Sequence, residues 1–288
     1  MMKRNALSIA VACICAVLAV SLLLSMAQDK KLAREKFVPS PEFSPPYPPL
    51  PHHFNNNRGI QILCQAPKGA IKRALAQPLE QRGNNDQFLL LMGWSPDCEG
   101  FNVHEIAINA PVKWKDKAGW TTLIEYIDSD MGLIAGREIW GWPKKMSDIT
   151  WTQTATGWTI TCNKQKDQGS IPLMKITYTI SNSAPAIKWP NIVPTLLVKR
   201  VPPASFSIPP LTQLVCVGCN PAPGGANPLT PPGTKETKGT ATVQFFDGPH
   251  DPLKFFGPVK VLGAKMSISE GPMTGGLSLG EVLQQWEE

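Results

Sequence analysis

The chain has 288 residues, 42% hydrophobic and 17% charged, with a formal charge of +6 at pH 7. That composition sustains a buried core, in one large domain or two small ones, and excludes a wholly disordered chain. The positive charge is spread along the sequence with no basic stripe interleaved with aromatics, so nothing argues for a nucleic-acid partner.

Lys3 and Arg4 precede the uncharged stretch Ala6–Ala27, which ends in Ser25-Met26-Ala27 with small residues at the two positions a signal peptidase reads. Residues 1–27 are predicted to be a signal peptide cleaved after Ala27. The alternative is an uncleaved membrane anchor, because about 20 apolar residues span a bilayer. On either reading the remainder is secreted or otherwise exported, and a membrane is a partner only if the segment stays. Residues 28–53 read as a proline-rich spacer, since Pro39 through Pro51 hold too many prolines for a sheet interior.

Residues 54–288 are predicted to form the folded domain. Gly59–Gln65 reads as a strand and Pro67–Gln77 as a short helix stopped by Pro78. Gln87–Trp94 is a short apolar run expected to be a buried strand. Phe101–Trp114 and Trp120–Ile127 read as strands joined by the polar turn Lys115–Gly119. In Thr150–Cys162 a turn at Thr156-Gly157 separates two strands, and Ile176, Tyr178 and Ile180 alternate with polar residues in Lys175–Ser181. Further strands are predicted at Ile192–Val201, Ser205–Leu211, Thr240–Phe246 and Val259–Ser269, with a proline- and glycine-rich loop after Cys219. The expected fold class is α+β: a strand-rich, mostly antiparallel sheet curled into a barrel, with few short helices.

Of seven cysteines, Cys13 and Cys15 lie in the N-terminal apolar segment. The other five are an odd number, which leaves at least one unpaired thiol or an intermolecular bond in an oxidising compartment. Cys216 and Cys219 are three apart and read either as a local disulfide or as a buried reduced pair. A zinc site needs about four ligands, and His52, His53, His104 and His250 are not at ligand spacing from that pair, so no metal is expected.

The sequence Trp140-Gly141-Trp142-Pro143-Lys144-Lys145 sets two lysines behind an apolar, rigid stretch. A lysine with an ordinary pKa is almost wholly protonated at neutral pH. An apolar wall and a neighbouring cation both favour the neutral, nucleophilic amine.

The blocks Tyr126–Asp130, Gly136-Arg137-Glu138 and Pro143-Lys144-Lys145 resemble the signature of the acetoacetate decarboxylase family, and flanking similarities carry the resemblance over residues 54 to 270. They include Asn57-Arg58, Gln77–Glu80, Glu105 with Asn109–Val112, and Val243–Asp247 with Asp251–Leu253. The resemblance implies that Lys144 is a Schiff-base nucleophile and Lys145 the cation that lowers its pKa. It further implies that Glu105 orients substrate or moves protons, and that Arg58 holds a carboxylate, the substrate's or that of Glu105. Arg137 and Glu138 read as an ion pair or network supporting the lysine loop.

The implied activity is decarboxylation of acetoacetate or a related β-keto acid, with no metal or organic cofactor, in a chain that forms a homo-oligomer. Alternatives are an imine-forming aldolase or dehydratase of the same superfamily and a non-catalytic secreted binding protein. One departure weighs toward the alternatives. The family's second active-site glutamate falls on Leu90, and the closest carboxylate, Asp86, is four residues too early.

Overall fold

The computed structural model describes residues 39–83, 85–166, 169–219, 233–275 and 280–287. The expected leader, residues 28–38 of the spacer, and residues 220–232 of the loop after Cys219 lie outside the described residues. The chain divides into a unit of residues 1–45 and a unit of residues 46–288. Every described strand belongs to the second unit.

In chain order the strands are β1 (His52–Asn55), β2 (Asn57–Gln65), β3 (Glu80–Gln81), β4 (Gln87–Cys98), β5 (Phe101–Trp114), β6 (Lys117–Ile127), β7 (Lys144–Met146), β8 (Asp148–Gln153) and β9 (Gly157–Lys166). They continue with β10 (Gly169–Ile180), β11 (Thr195–Val201), β12 (Leu211–Val217), β13 (Lys235–Phe245), β14 (Asp247–Gly248), β15 (Asp251–Pro252), β16 (Lys260–Ser269), β17 (Met273–Gly275) and β18 (Glu281–Glu287). The helical pieces are α1 (Ala70–Ala74), α2 (Asp130–Ala135), a π-helical turn (Gly136–Trp140) and a 3-10 turn (Leu253–Phe256).

One large sheet runs β18-β12-β11-β6-β5-β4-β2-β16-β13-β10-β9-β8. Its described pairings are antiparallel except β6 with β7 and β6 with β11. The strand-rich, mostly antiparallel sheet is as expected. The barrel is not: no described pairing joins β8 to β18, and the sheet stays open. Closure needs the two end strands to exchange backbone hydrogen bonds, and among the described pairings β8 pairs with β9 and β18 with β12. Where β8 and β9 come round toward β4, Trp94, Trp151 and Trp158 meet one another with ring centroids 5.9 to 6.0 Å apart. These contacts are tilted or edge-on and run side chain to side chain, since β4 is already flanked by β2 and β5.

Register fixes which side chains share a face, because neighbours directly opposite in a ladder point the same way. Ile60, Met92 and Ile106 are mutually opposed on β2, β4 and β5, as are Ile62, Leu90 and Ile108. These six, with Tyr126, Ile160, Ile176 and Tyr178, belong to the main core. The other face of β4, β5, β6 and β7 carries Gly93, Glu105 and Ile127 in one row and Ala107, Glu125 and Lys144 in the next. A second, smaller core covers part of that face, where Ile127 and Val103 pack with Met131 and Ala135 of α2.

Two expected elements changed. The strand expected at Ser205–Leu211 is irregular until β12 begins at Leu211, since Pro202, Pro203, Pro209 and Pro210 withhold ladder donors. The helix expected at Pro67–Gln77 narrows to the five residues of α1. Cys216 and Cys219 form a disulfide, while Cys64, Cys98 and Cys162 are buried thiols. No described helix is long and apolar enough to cross a membrane.

Candidate active site

The segment between β6 and β7 shapes the site. Ser129 starts α2, its hydroxyl accepting from the Gly132 amide at 3.2 Å. The helix widens at Gly136 into the π-helical turn, whose end is closed by the Gly141 and Trp142 amides donating to the Gly136 carbonyl at 3.1 and 3.0 Å. Trp140 packs with Leu197 and Val215, with Trp142 against the same cluster, which fastens the turn to the sheet. Pro143 then leads the chain back alongside β6. The Glu125 amide donates to its carbonyl at 3.2 Å, and β7 begins in parallel register with Glu125 opposite Lys144.

Lys144 is enclosed by this path. Its side chain is 10% exposed, and its Nζ lies 2.9 Å from Glu125 Oε1 and 3.3 Å from Glu105 Oε2. The two carboxyl groups also hydrogen-bond to each other. Two glycines make the room. A Cβ on Gly136 would stand 2.6 Å from Lys144 Cε, and one on Gly93 would stand 3.1 Å from Glu105 Cγ. The carboxyls differ in setting: the Glu125 side chain is 7% exposed and that of Glu105 is 45% exposed. Glu125 is thus the sealed end of the cluster and Glu105 the half-buried end nearer solvent.

The electrostatics follow from this arrangement. Burial drives the Glu125 carboxyl up, the neighbouring Glu105 charge adds to it, and Lys144 only partly offsets them, leaving Glu125 at about 8. For Glu105 burial pushes the same way, but Lys144 and the hydrogen bonds from Glu125 and Lys144 outweigh it, and its pKa is lowered. For Lys144 burial favours the neutral amine, but the two carboxyl groups outweigh it and hold the ammonium form above the ordinary lysine range. This differs from the sequence expectation of a lysine made neutral by a like charge.

The reason is where Lys145 points. Adjacent residues of a strand face opposite sides, so Lys145 turns to the Tyr126 face. There its ammonium reaches Asp251 Oδ1 and donates to the His250 carbonyl at 2.9 Å. Asp251, 2% exposed, also accepts from the Tyr126 hydroxyl at 2.7 Å. Lys145 therefore pins β7 from behind.

Arg58 is on that second face too. It opposes Trp94, which opposes His104, and its guanidinium lies 4.2 Å over the Trp94 ring and 5.7 Å from that of Trp158. His104 is held by Asp128, Nδ1 to Oδ2 at 2.6 Å. Of the four residues implied by resemblance, Lys144 and Glu105 come together, and Lys145 and Arg58 lie across the sheet from them. Leu90, fully buried in the core, is on the far face as well, so a carboxylate there would not share a face with Lys144.

Arg137 and Glu138 serve the loop. Arg137 donates to the Lys144 carbonyl at 3.1 Å, Glu138 accepts from the Tyr47 hydroxyl at 3.0 Å, and Lys199 donates to the carbonyls of Glu138 and Ile139. Sequence reasoning missed Glu125. Its signal was a lone carboxylate among the apolar residues of Leu123-Ile124-Glu125-Tyr126-Ile127, on a strand already expected to pair with that of Glu105.

Among the described residues no group of three or more histidine, cysteine or acidic side chains is placed to hold a metal ion. What the cluster offers is a buried ammonium between an ionised carboxylate and a protonated one, which suits proton transfer and, once the nitrogen gives up its proton, carbonyl addition.

A sequence model of acetoacetate decarboxylase (ADC) matches residues 37–281. The acetoacetate decarboxylase of Chromobacterium violaceum is 31% identical over 113 residues, which cover 39% of this chain and 45% of that protein. Acetoacetate decarboxylase 3 of Mesorhizobium japonicum is 30% identical over 109 residues, covering 38% and 42%. The match spans less than half the length of these relatives. Among solved structures, the acetoacetate decarboxylase of Legionella pneumophila superposes with a TM-score of 0.67 at 18% identity, covering 88% of this chain and 96% of that one. The enduracididine biosynthesis enzyme MppR, complexed with the condensation product of pyruvate and imidazole 4-carboxaldehyde, superposes at 0.60 and 17% identity, covering 84% and 93%.

Proposed function

Since the chain belongs to the acetoacetate decarboxylase family, we propose that it is an imine-forming lyase that uses Lys144 to decarboxylate acetoacetate or a related β-keto acid. The observation that carries this reading is the sealed Lys144 amine, within 2.9 and 3.3 Å of two carboxyl groups of unequal acidity. Lys144 adds to the ketone and water leaves. The protonated imine accepts the electron pair released as carbon dioxide departs, and the enamine takes up a proton. Hydrolysis then frees the ketone and the amine. The iminium is the electron sink, so this chemistry calls for no metal or organic cofactor.

A second reading, an aldolase or dehydratase working through the same imine, is favoured by one observation. Arg58, the expected carboxylate holder, lies across the sheet from Lys144. MppR, of similar fold and complexed with the condensation product of pyruvate and imidazole 4-carboxaldehyde, agrees in kind.

The setting proposed for this chemistry is an exported one, supported by the N-terminal apolar segment and by the Cys216–Cys219 disulfide. The test that separates the two activities is carbon dioxide release from acetoacetate, run beside reductive trapping with borohydride. Trapping with release supports the decarboxylase. Trapping without release, over a panel of β-keto acids, replaces it with the second reading. No trapping with any keto acid overturns both.

A further inference from the structure

Imine formation needs two opposite proton services at one carbon. A base must relieve the ammonium of its proton, and an acid must supply one to the carbonyl oxygen as it gathers charge. Two carboxyl groups whose surroundings push their acidities apart divide these services between them. Glu105 and Glu125 are such a pair: both reach Lys144 Nζ, yet Glu105 is at the end of the cluster nearer solvent and Glu125 at the sealed end.

We propose that Glu125 is a catalytic residue, the general acid of imine formation, with Glu105 as the base. The proposal rests on the reading of Lys144 as the nucleophile. The steps balance as follows. Glu105 takes a proton from the Lys144 ammonium. With Glu125 still protonated, the cluster is then one amine and two carboxylic acids and carries no charge, the form that a substrate expelling water favours. The amine attacks the carbonyl carbon, a C–N bond forms, and the π pair moves to oxygen, which takes the Glu125 proton. Glu125, now a carboxylate, removes a proton from the nitrogen. The hydroxyl leaves as water with the proton from Glu105 while the nitrogen pair closes the C=N bond. The product is a protonated imine, with Glu105 again ionised and Glu125 again protonated.

The charged groups around this cluster are few. Lys144 on β7 and Glu105 on β5 face Glu125 directly. Cys98 on β4 interacts with Glu105 and Lys144, and burial and its acidic neighbours hold its thiol up at about 12, so it stays protonated in the working range. From the turn, Arg137 reaches the Lys144 carbonyl, while Glu138 is taken by Tyr47, and Lys199 of β11 by turn carbonyls.

The consequence is a pH dependence opposite to that of a lysine with a depressed pKa. The group at about 8 must be protonated for the acid to act, so the rate falls as pH rises through that value. A lysine limited by its own proton would give a rising rate.

The experiment follows the rate of trapping of acetoacetate on the full-length protein with excess cyanoborohydride from pH 5.5 to 9.5. The wild-type rate is expected to fall about tenfold between pH 7 and pH 9, as one group near 8 loses its proton. Glu125→Gln, which keeps shape and hydrogen bonding but not the proton, is expected to slow trapping about 100-fold and to flatten that limb. A wild-type rate that rises through pH 8, or a Glu125→Gln rate equal to wild type, overturns the proposal. The wild-type profile alone decides the matter if the variant does not fold. Absence of any adduct in wild type at every pH instead overturns the reading of Lys144.

Discussion

Glu125 Oε1 stands 2.9 Å from Lys144 Nζ because β6 and β7 run parallel and set the two residues directly opposite each other. A buried lysine is usually expected to shed its proton, and here the two carboxyl groups beside it together reverse that. The amine is held as an ammonium in this cluster, and in the proposed mechanism proton transfer to Glu105 releases it. The first prediction concerns this pair. Lys144→Arg keeps a cation for Glu105 and Glu125 but cannot form an imine. It is expected to fold, to hold its melting temperature within a few degrees, and to give no adduct and no turnover. Residual turnover in the purified variant would contradict it.

A second prediction separates the two adjacent lysines. Lys145→Met leaves Asp251, 2% exposed, with the Tyr126 hydroxyl but without the ammonium that contacts it. Breaking a buried ion pair from one side costs about 3 kcal/mol. Denaturant unfolding is expected to show that loss, while trapping of the folded variant still labels Lys144. A variant of native stability that fails to label would instead make Lys145 a direct partner of the chemistry.

A third prediction tests the close approach at Gly136. A Cβ there would fall 2.6 Å from Lys144 Cε, inside van der Waals contact. Gly136→Ala is expected to displace the lysine stem and lower the trapping rate by at least tenfold, with far-UV circular dichroism unchanged. A wild-type rate in Gly136→Ala would show that the stem has room to move.

A fourth prediction is thermodynamic. Glu125 titrates at about 8 in the folded chain against an ordinary 4.5, so between those values the folded state binds more protons than the unfolded one. Stability is then fully present below about 4.5 and is lost as pH rises toward about 8. Glu105, whose pKa is lowered, contributes stability that is present at neutral pH and is lost on acidification below the ordinary carboxylate range. Lys144, whose pKa is raised, contributes stability that is fully present below the ordinary lysine range and is lost only above it. Melting temperatures are therefore expected to decline from pH 5 to pH 8 in wild type and to decline less in Glu125→Gln. Equal slopes would contradict the assignment of the raised carboxyl to Glu125.

The strands were legible where an apolar run or an alternating one was bounded by turn residues. Phe101–Trp114 emerges with the expected bounds as β5, and the turn at Thr156-Gly157 separates β8 from β9 as expected. That the sheet stays open was not legible, because closure depends on whether β8 and β18, end strands far apart in sequence, meet as a ladder. For the site, the lysine pair and Glu105 were readable as a cluster of types, but faces were not. Arg58, Glu105 and Lys145 sort to two sides of one sheet according to ladder register, which local sequence does not carry. One part was within reach. Had Lys144-Lys145 been read as a strand, period-two alternation alone would have sent the second lysine away from the first. The raised Glu125 required both the β5–β6 register and the return of the chain through the π-helical turn, a relationship between segments about twenty residues apart.

The central claim is that Lys144 is the residue that becomes bonded to substrate. The most direct measurement is reductive trapping of the full-length protein with acetoacetate and borohydride, followed by peptide mapping by mass spectrometry. The expected result is one stoichiometric adduct, confined to Lys144, that disappears in Lys144→Arg. An adduct on Lys145 or another lysine, or none with acetoacetate or any related keto acid, would contradict it.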